Sequence, residues 1–422
     1  MKRLMTLIML GCLAWYPARS QEASGEPQDY RALQGVVVDS QNGDPLVFAS
    51  LALEGQNLTT VTNAEGEFLL KVPPDLEEGR IVVTYLGYRS RQIPLSAFGR
   101  EPLEISLSVS VTSLPEVNVA APADATQLVK DALRKKGENY LDKPVKMTAF
   151  YRETIKKRRR NASLAEAVVQ IYKAPYTSDR QDAVELYKAR KSTDYSRLDT
   201  VALKLQGGPF NALFVDVMKY PDYLLSAEYI DDYQFFYERN TTVDDRLVYV
   251  IGFRQRESIL EPMFRGRLYI DAERKVLTSA IYSLNITDEA MASRMFVRRK
   301  PANVQVTPTQ ISYRVDYREQ DGRWYYSYSN ALLEFKVDWD RRLFNSVYSL
   351  SLEMAVTDWE PNPDGIVPRL RDRVKSSIIL SDAAEGFSDP DFWGEYNIIE
   401  PDKSIESAIR KIQRQLRRED RR

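Results

Sequence analysis

Gly35-Val36-Val37-Val38-Asp39, Pro45-Leu46-Val47-Phe48-Ala49, Thr62-Asn63-Ala64-Glu65-Gly66-Glu67-Phe68 and Val83-Thr84-Tyr85-Leu86-Gly87-Tyr88 follow one another near the start of this chain. Each is a short β-forming run beside turn residues. Together they predict strands at Leu33–Asp39, Val47–Glu54, Leu58–Thr62, Glu67–Val72, Ile81–Tyr85, Arg89–Leu95 and Leu103–Leu107. Asn42-Gly43 centres the first turn, and Gly66 supplies a positive φ in the second. Strands of this length, at intervals of about ten residues, predict a β-sandwich.

Upstream, Lys2 and Arg3 precede a short apolar run from Leu4 to Trp15, and Ala18-Arg19-Ser20 is a small-x-small box. Residues 1–20 read as a secretory signal cleaved before Gln21. The alternative is a lipid-modified Cys12 after Met9-Leu10-Gly11, disfavoured by the methionine. The mature chain is therefore expected to be exported. Cys12 is the only cysteine, so a chain starting at Gln21 has no disulfides and relies on apolar cores.

Histidine is absent from all 422 residues. That excludes Ser-His-Asp and Cys-His hydrolysis and histidine-ligated metal sites. The net charge of −1 conceals an asymmetry: residues 21–120 carry 6 Lys/Arg against 14 Asp/Glu, a net of −8. An acidic module is joined to a mildly basic one, and no dense basic face suggests nucleic acid as a partner.

The four motifs, in this order, resemble the carboxypeptidase-regulatory-like domain, a transthyretin-like β-sandwich, from about Tyr30 to Val119. The resemblance implies an exported Gram-negative envelope protein, in the periplasm or associated with the outer membrane. It implies no peptidase activity, because in carboxypeptidases this domain accompanies the catalytic part. Gly66 and Gly87 read as turn residues. Asp39 and Asp44 lack the alternating oxygen ligands of a calcium loop.

The expected organisation is a signal at 1–20, a sandwich at 30–119, a linker at 120–123, a β-rich domain at 124–400 and an amphipathic helix with a basic tail at 401–422. Asp124 caps a helix predicted to run to about Tyr140, ended by Pro144. Ala165, Ala167, Val169 and Ile171 alternate with Glu166 and Gln170, and Leu247, Tyr249, Ile251 and Phe253 line one face of another strand. Leu333, Phe335, Val337 and Trp339 alternate with Glu334, Lys336, Asp338 and Asp340, which predicts a half-buried strand with a charged outer face. Val347–Thr357 is expected to pair with it, and a helical or irregular insertion is expected between Asn211 and Asp232. Ile405, Ile409, Ile412 and Leu416 recur at helical spacing. The fold class is mainly β: a seven-stranded sandwich, then a larger antiparallel domain, possible as an open half-barrel. Gly266-Arg267-Leu268-Tyr269-Ile270-Asp271 and the return strand resemble, over one hairpin, the periplasmic lipoprotein-carrier family, whose half-barrel holds acyl chains.

Lys156, Lys157, Arg158, Arg159 and Arg160 form the densest charge run. A solvated hairpin tip is the ordinary reading, and contact with an anionic lipid surface the sharper one, with Arg298, Arg299 and Lys300 on the same face. Tyrosine clusters at Tyr229, Tyr233 and Tyr237 and at Tyr325, Tyr326 and Tyr328 read as sheet packing or as a sugar- or lipid-binding groove. Asp231-Asp232 and Asp244-Asp245 read as turn or cap residues, since strand neighbours point to opposite faces. No motif names a catalytic residue, a cofactor or a metal. The sequence points to a non-enzymatic envelope protein that binds or scaffolds an envelope protein partner. A carrier for a lipid or lipoprotein is the alternative, and a hydrolase the least supported reading.

Overall fold

The computed structural model describes residues 30–110, 124–158, 160–193, 206–238, 240–243, 246–297, 300–340, 344–386 and 392–401. The signal region with Cys12, Arg159, Asp244-Asp245, Arg298-Arg299 and the C-terminal helix lie outside the described residues.

The first module is built from β1 (Arg31–Asp39), β2 (Ser50–Leu53), β3 (Thr59–Val61), β4 (Glu67–Val72), β5 (Arg80–Thr84), β6 (Arg91–Pro94) and β7 (Leu103–Leu107). These form two facing sheets, ordered β4-β1-β7 and β3-β2-β5-β6. The β1–β7 pair is parallel and the other pairs are antiparallel. Alternate side chains of the two sheets, among them Leu33, Val37, Leu51, Phe68, Leu70, Ile81, Val83 and Ile105, fill the space between them. One expectation shifts. The segment Val47–Ala49 is not strand, because Phe48 takes a left-handed conformation with φ 62°. Its ring thereby leaves the sandwich and lies 5.1 Å from that of Tyr328 in the second domain.

The second domain starts with helices α1 (Ala125–Arg134) and α2 (Lys136–Asn139), and the Asp124 side chain accepts a hydrogen bond from the Thr126 N–H at 2.8 Å. The helix does not run unbroken to Tyr140. It breaks at Lys135, and Tyr140 turns into the sheet, where its buried hydroxyl donates to the Leu277 carbonyl at 2.5 Å.

There follow β8 (Val145–Lys157), β9 (Arg160–Lys173), β10 (Ala183–Thr193), α3 (Pro209–Leu213), β11 (Tyr233–Tyr237), β12 (Thr241–Val243), β13 (Arg246–Gln255), β14 (Phe264–Asp271) and β15 (Leu277–Leu284). The chain continues through α4 (Glu289–Phe296), β16 (Val304–Gln320), β17 (Arg323–Trp339), β18 (Ser346–Pro361), α5 (Leu380–Ala383) and β19 (Glu385–Gly386). All twelve strands join one sheet, ordered β11-β13-β14-β15-β16-β17-β18-β8-β9-β10-β19, with β12 also on β13. Its pairs are antiparallel except β10–β19, and its two edges do not meet, so the sheet is open.

The face carrying Met147, Ala149, Tyr151, Ala167, Val169, Ile251 and Leu268 is here called inner. It is covered by α1 through Leu128, Val129 and Ala132, and by Phe210, Leu213, Val217, Met218 and Leu225 of the insertion at 206–232. Farther along the same face, Ala292 and Phe296 of α4 cover Val306, Phe335, Val337 and Leu350. The predicted alternation in β17 holds: Phe335 and Val337 are buried, while Glu334, Lys336 and Asp338 are partly exposed.

Candidate binding surfaces

The insertion is fastened to the inner face by a buried polar cluster. Lys173, at the end of β9, donates to Asp182 at 2.8 Å and to Asp216 of the insertion at 2.7 Å, and none of the three side chains is solvent-exposed. Asp216 also accepts from the hydroxyls of Tyr176 and Tyr317, each at 2.9 Å. Asp182 accepts from the Tyr220 hydroxyl at 3.0 Å and the Ala174 N–H at 2.9 Å. Burial alone would favour neutral Lys173; Asp182 and Asp216 outweigh it and hold the ammonium charged. Every charge here has partners, so the cluster specifies where the insertion sits.

Glu153 is a second buried acid on this face. Burial raises its carboxyl to about pH 7, against a smaller lowering by the Tyr151 hydroxyl, 3.0 Å away, and the Ser381 N–H.

The outer face receives the sandwich. The Thr59 hydroxyl donates to the Val356 carbonyl at 2.6 Å, and the Asn57 amide to that of Trp359 at 2.5 Å. Leu86 packs on Val248, Val250 and Tyr269. The tail at 392–400 wedges into this junction, where Trp393, Ile398 and Ile399 share an apolar cluster with Val61, Phe150, Val168 and Tyr328.

Glu166 lies under that tail. The alternation in β9 places it opposite the apolar face, yet it is fully buried, not solvated. Its two oxygens accept from Arg152 and Arg190, each at 2.8 Å. Burial alone would raise its carboxyl, but the two guanidinium groups outweigh that and hold it below the usual carboxylate range. Arg152 also donates to the Ile399 carbonyl at 2.7 Å, which ties the tail to the sheet.

An open groove of about 420 Å³ runs along the outer face of β11 and β13–β16, lined by Phe236, Glu238, Arg254, Arg265, Arg267, Ile281, Ser283 and Ser312. Arg267 pairs with Glu238 at 2.6 Å, and Arg254 lies over the Phe236 ring. With Phe236 and Ile281 more than a third exposed, the groove combines apolar surface with three cations and one carboxylate.

The residues marked out by the sequence have these places. Lys156, Lys157, Arg158 and Arg160 sit at the β8–β9 hairpin tip, where Arg158 and Arg160 are exposed and Arg158 has φ 56°. Lys157 lies 5.8 Å from the Tyr348 ring centre. Lys300 opens the approach to β16 and is also exposed. Tyr325, Tyr326 and Tyr328 are buried in sheet packing, as is Tyr233, whereas Tyr229 is 46% exposed. Asp231 lies in a short helical turn and pairs with Lys130 at 2.7 Å. Asp39 holds its own turn, accepting from the Gln41 N–H at 2.7 Å and the Tyr88 hydroxyl at 2.6 Å.

Sequence reasoning missed the Lys173–Asp182–Asp216 cluster, the Arg152–Glu166–Arg190 bridge and Glu153. Only Glu166 left a trace, as a charge inside an otherwise apolar stretch of β9. Among the described residues, no three or more acidic, cysteine or histidine side chains are placed to hold a metal, and no helix is long and apolar enough to cross a membrane.

Residues 33–119 match the CarboxypepD_reg-like domain family. A search of curated proteins found no match. Among solved structures, the chain is similar to an outer membrane lipoprotein-sorting protein domain from Vibrio parahaemolyticus, at 10% identity and a TM-score of 0.25 over 59% of this chain and 97% of that one. It is similar to a DUF1329 family protein from Desulfovibrio piger at 10% identity and a TM-score of 0.22, covering 55% and 93%. Similarity to lipovitellin is 8% with a TM-score of 0.24, covering 58% of this chain and 28% of that one.

Proposed function

We propose that this is a non-enzymatic cell-envelope protein that binds or scaffolds a partner through the outside of one joined β body. The observation that carries the reading is the filled inner face. α1, the 206–232 insertion and α4 cover it with the chain's own side chains, and the Lys173 cluster holds the insertion in place. Binding is then left to the outer face, the sheet ends and the acidic sandwich. A sandwich joined by buried hydrogen bonds to the sheet presents both surfaces at a fixed angle, which suits a scaffold.

The carrier reading keeps one specific support, the outer-face groove. Its volume falls within the ~300–1,000 Å³ typical of small-molecule sites, and Arg254, Arg265 and Arg267 would favour an anionic headgroup.

Native mass spectrometry after gentle purification, with lipid extraction, separates the two. A bare polypeptide mass supports the scaffold. A stoichiometric lipid that is lost on Arg265→Glu supports the carrier and sinks the scaffold reading.

A further inference from the structure

We propose that one end of the large sheet docks on an anionic membrane surface. The register brings three separate connections to that end. Val304 pairs with Trp339, Val337 with Ser346, and Tyr348 with Lys157, so α4–β16, β17–β18 and β8–β9 all turn at the same end of five neighbouring strands. At about 4.8 Å per strand, those turns fall within roughly 20 Å of one another across the sheet.

Among the described residues, the stretches at this end hold six cations, Lys156, Lys157, Arg158, Arg160, Arg294 and Lys300, and one acid, Asp340, in a chain whose overall charge is −1. At the opposite end, the connections 174–182, 272–276, 321–322 and 361–373 hold six cations and six acids. The charge is therefore gathered at one end by tertiary structure.

Two large apolar side chains stand among these cations. Phe344, in the β17–β18 connection, is 79% exposed, and Met295, on α4, is 50% exposed. Arg158, Arg160, Arg294 and Lys300 around them are exposed too. An apolar side chain projecting between cations matches a bilayer interface, where acyl chains take the ring and anionic headgroups take the charges.

The sandwich does not obstruct this end. It contacts β18 at Val356 and Trp359, ten or more residues from Ser346. At about 3.3 Å per residue this leaves roughly 30 Å of strand between the sandwich and the docking end. The proposal names a partner for the binding reading and rests on it for the compartment. Vesicle binding and the lipid content of the purified chain are separate measurements, so either can fail without the other.

The test is flotation of the full chain with vesicles of phosphatidylethanolamine and phosphatidylglycerol, against vesicles of phosphatidylcholine alone. Binding to the anionic vesicles only is expected, weakened about tenfold or more between about 0.05 and 0.5 M salt. Replacing Lys156, Arg158 and Arg160 by Gln is expected to weaken it by a similar factor. Phe344→Ser with Met295→Ser is expected to weaken it several-fold at both salt concentrations. Ile366→Ser with Leu370→Ser, exposed apolar residues at the other end, serves as the control and should change nothing. Unaltered circular dichroism and melting keep the variants comparable. Absence of binding to anionic vesicles overturns the proposal, as does binding that the variants leave intact. Retention of soluble polyglutamate without vesicle binding overturns it in favour of an acidic protein partner.

Discussion

Asn397 grips the main chain of Lys71, 326 residues away in sequence, as a neighbouring strand would. Its side-chain oxygen accepts from the Lys71 N–H at 2.7 Å, and its side-chain nitrogen donates to the Lys71 carbonyl at 3.1 Å. Lys71 lies in β4, the outermost strand of its sheet, so one amide side chain satisfies an edge that would otherwise be open to pairing with another chain. The Lys71 ammonium completes the grip by donating to the carbonyls of Gly394 and Tyr396.

That grip predicts joint unfolding of sandwich and sheet. Asn397→Ala leaves a buried N–H and carbonyl unpaired, at a cost of about 1–3 kcal/mol. Trp393→Ala removes the ring that meets Phe150 edge-on at 5.4 Å, at a cost of about 3–5 kcal/mol. Calorimetry of the unaltered chain should show one transition, and the double variant two. Two transitions already present in the unaltered chain would refute the coupling.

Lys173→Met is expected to destabilise the chain by about 3–5 kcal/mol, because Asp182 and Asp216 would remain buried without their cation. The insertion should loosen first. Hydrogen exchange across residues 206–232 checks this, with protection expected to fall there before it falls in β1–β7.

Glu153 and Glu166 predict opposite pH responses. Glu153 holds its proton up to about pH 7 in the folded chain, against 4.5 when unfolded. The folded state therefore binds more protons between those values, and stability should fall as pH rises through that window, by up to about 3 kcal/mol. Glu153→Gln should remove that loss and raise the denaturant midpoint at about pH 8, with little change at about pH 4.5. The Glu166 carboxyl is held low in the folded state, so its contribution is present above its unfolded value and is lost as pH falls through the folded one. Chemical denaturation of the two Gln variants from about pH 3 to about pH 8, which covers both windows, distinguishes them.

Gly66→Ala should lower the melting temperature. Gly66 has φ 75°, and an added Cβ would stand 2.6 Å from the Val37 carbonyl oxygen. A cost above about 1 kcal/mol is expected from the combination. Gly43→Ala shares the positive φ but meets open space, so its loss should be smaller.

The sandwich strands were legible, apart from Val47–Ala49, because their signals are local. Thr62-Asn63-Ala64-Glu65-Gly66-Glu67 predicts its own turn, and Asn63 makes it by accepting from the N–H groups of Glu65 and Glu67, both at 2.9 Å. The alternation through Phe335 and Val337 likewise announced a half-buried strand. Helix α1 was legible at its start, where Asp124 caps it. Its end was not, because burial of Tyr140 against the distant Leu277 decides where the chain leaves the helix.

What the sequence determined by itself is what neighbouring residues decide among themselves: strands, turns, the Asp124 cap, the want of histidine chemistry and the densest cationic run. Tertiary structure alone decided that Glu166 is buried between two arginines, that Lys173 meets an aspartate from the insertion, and that the basic residues of the β8–β9 and α4–β16 connections share one end of a sheet. The reason is physical. A side chain's charge and a backbone's preferred angles act over a few residues, whereas burial and strand register depend on partners tens to hundreds of residues away. Arg152 and Glu166 are exposed-looking polar residues in sequence, and only the closing of residues 392–400 over them makes their pairing obligatory.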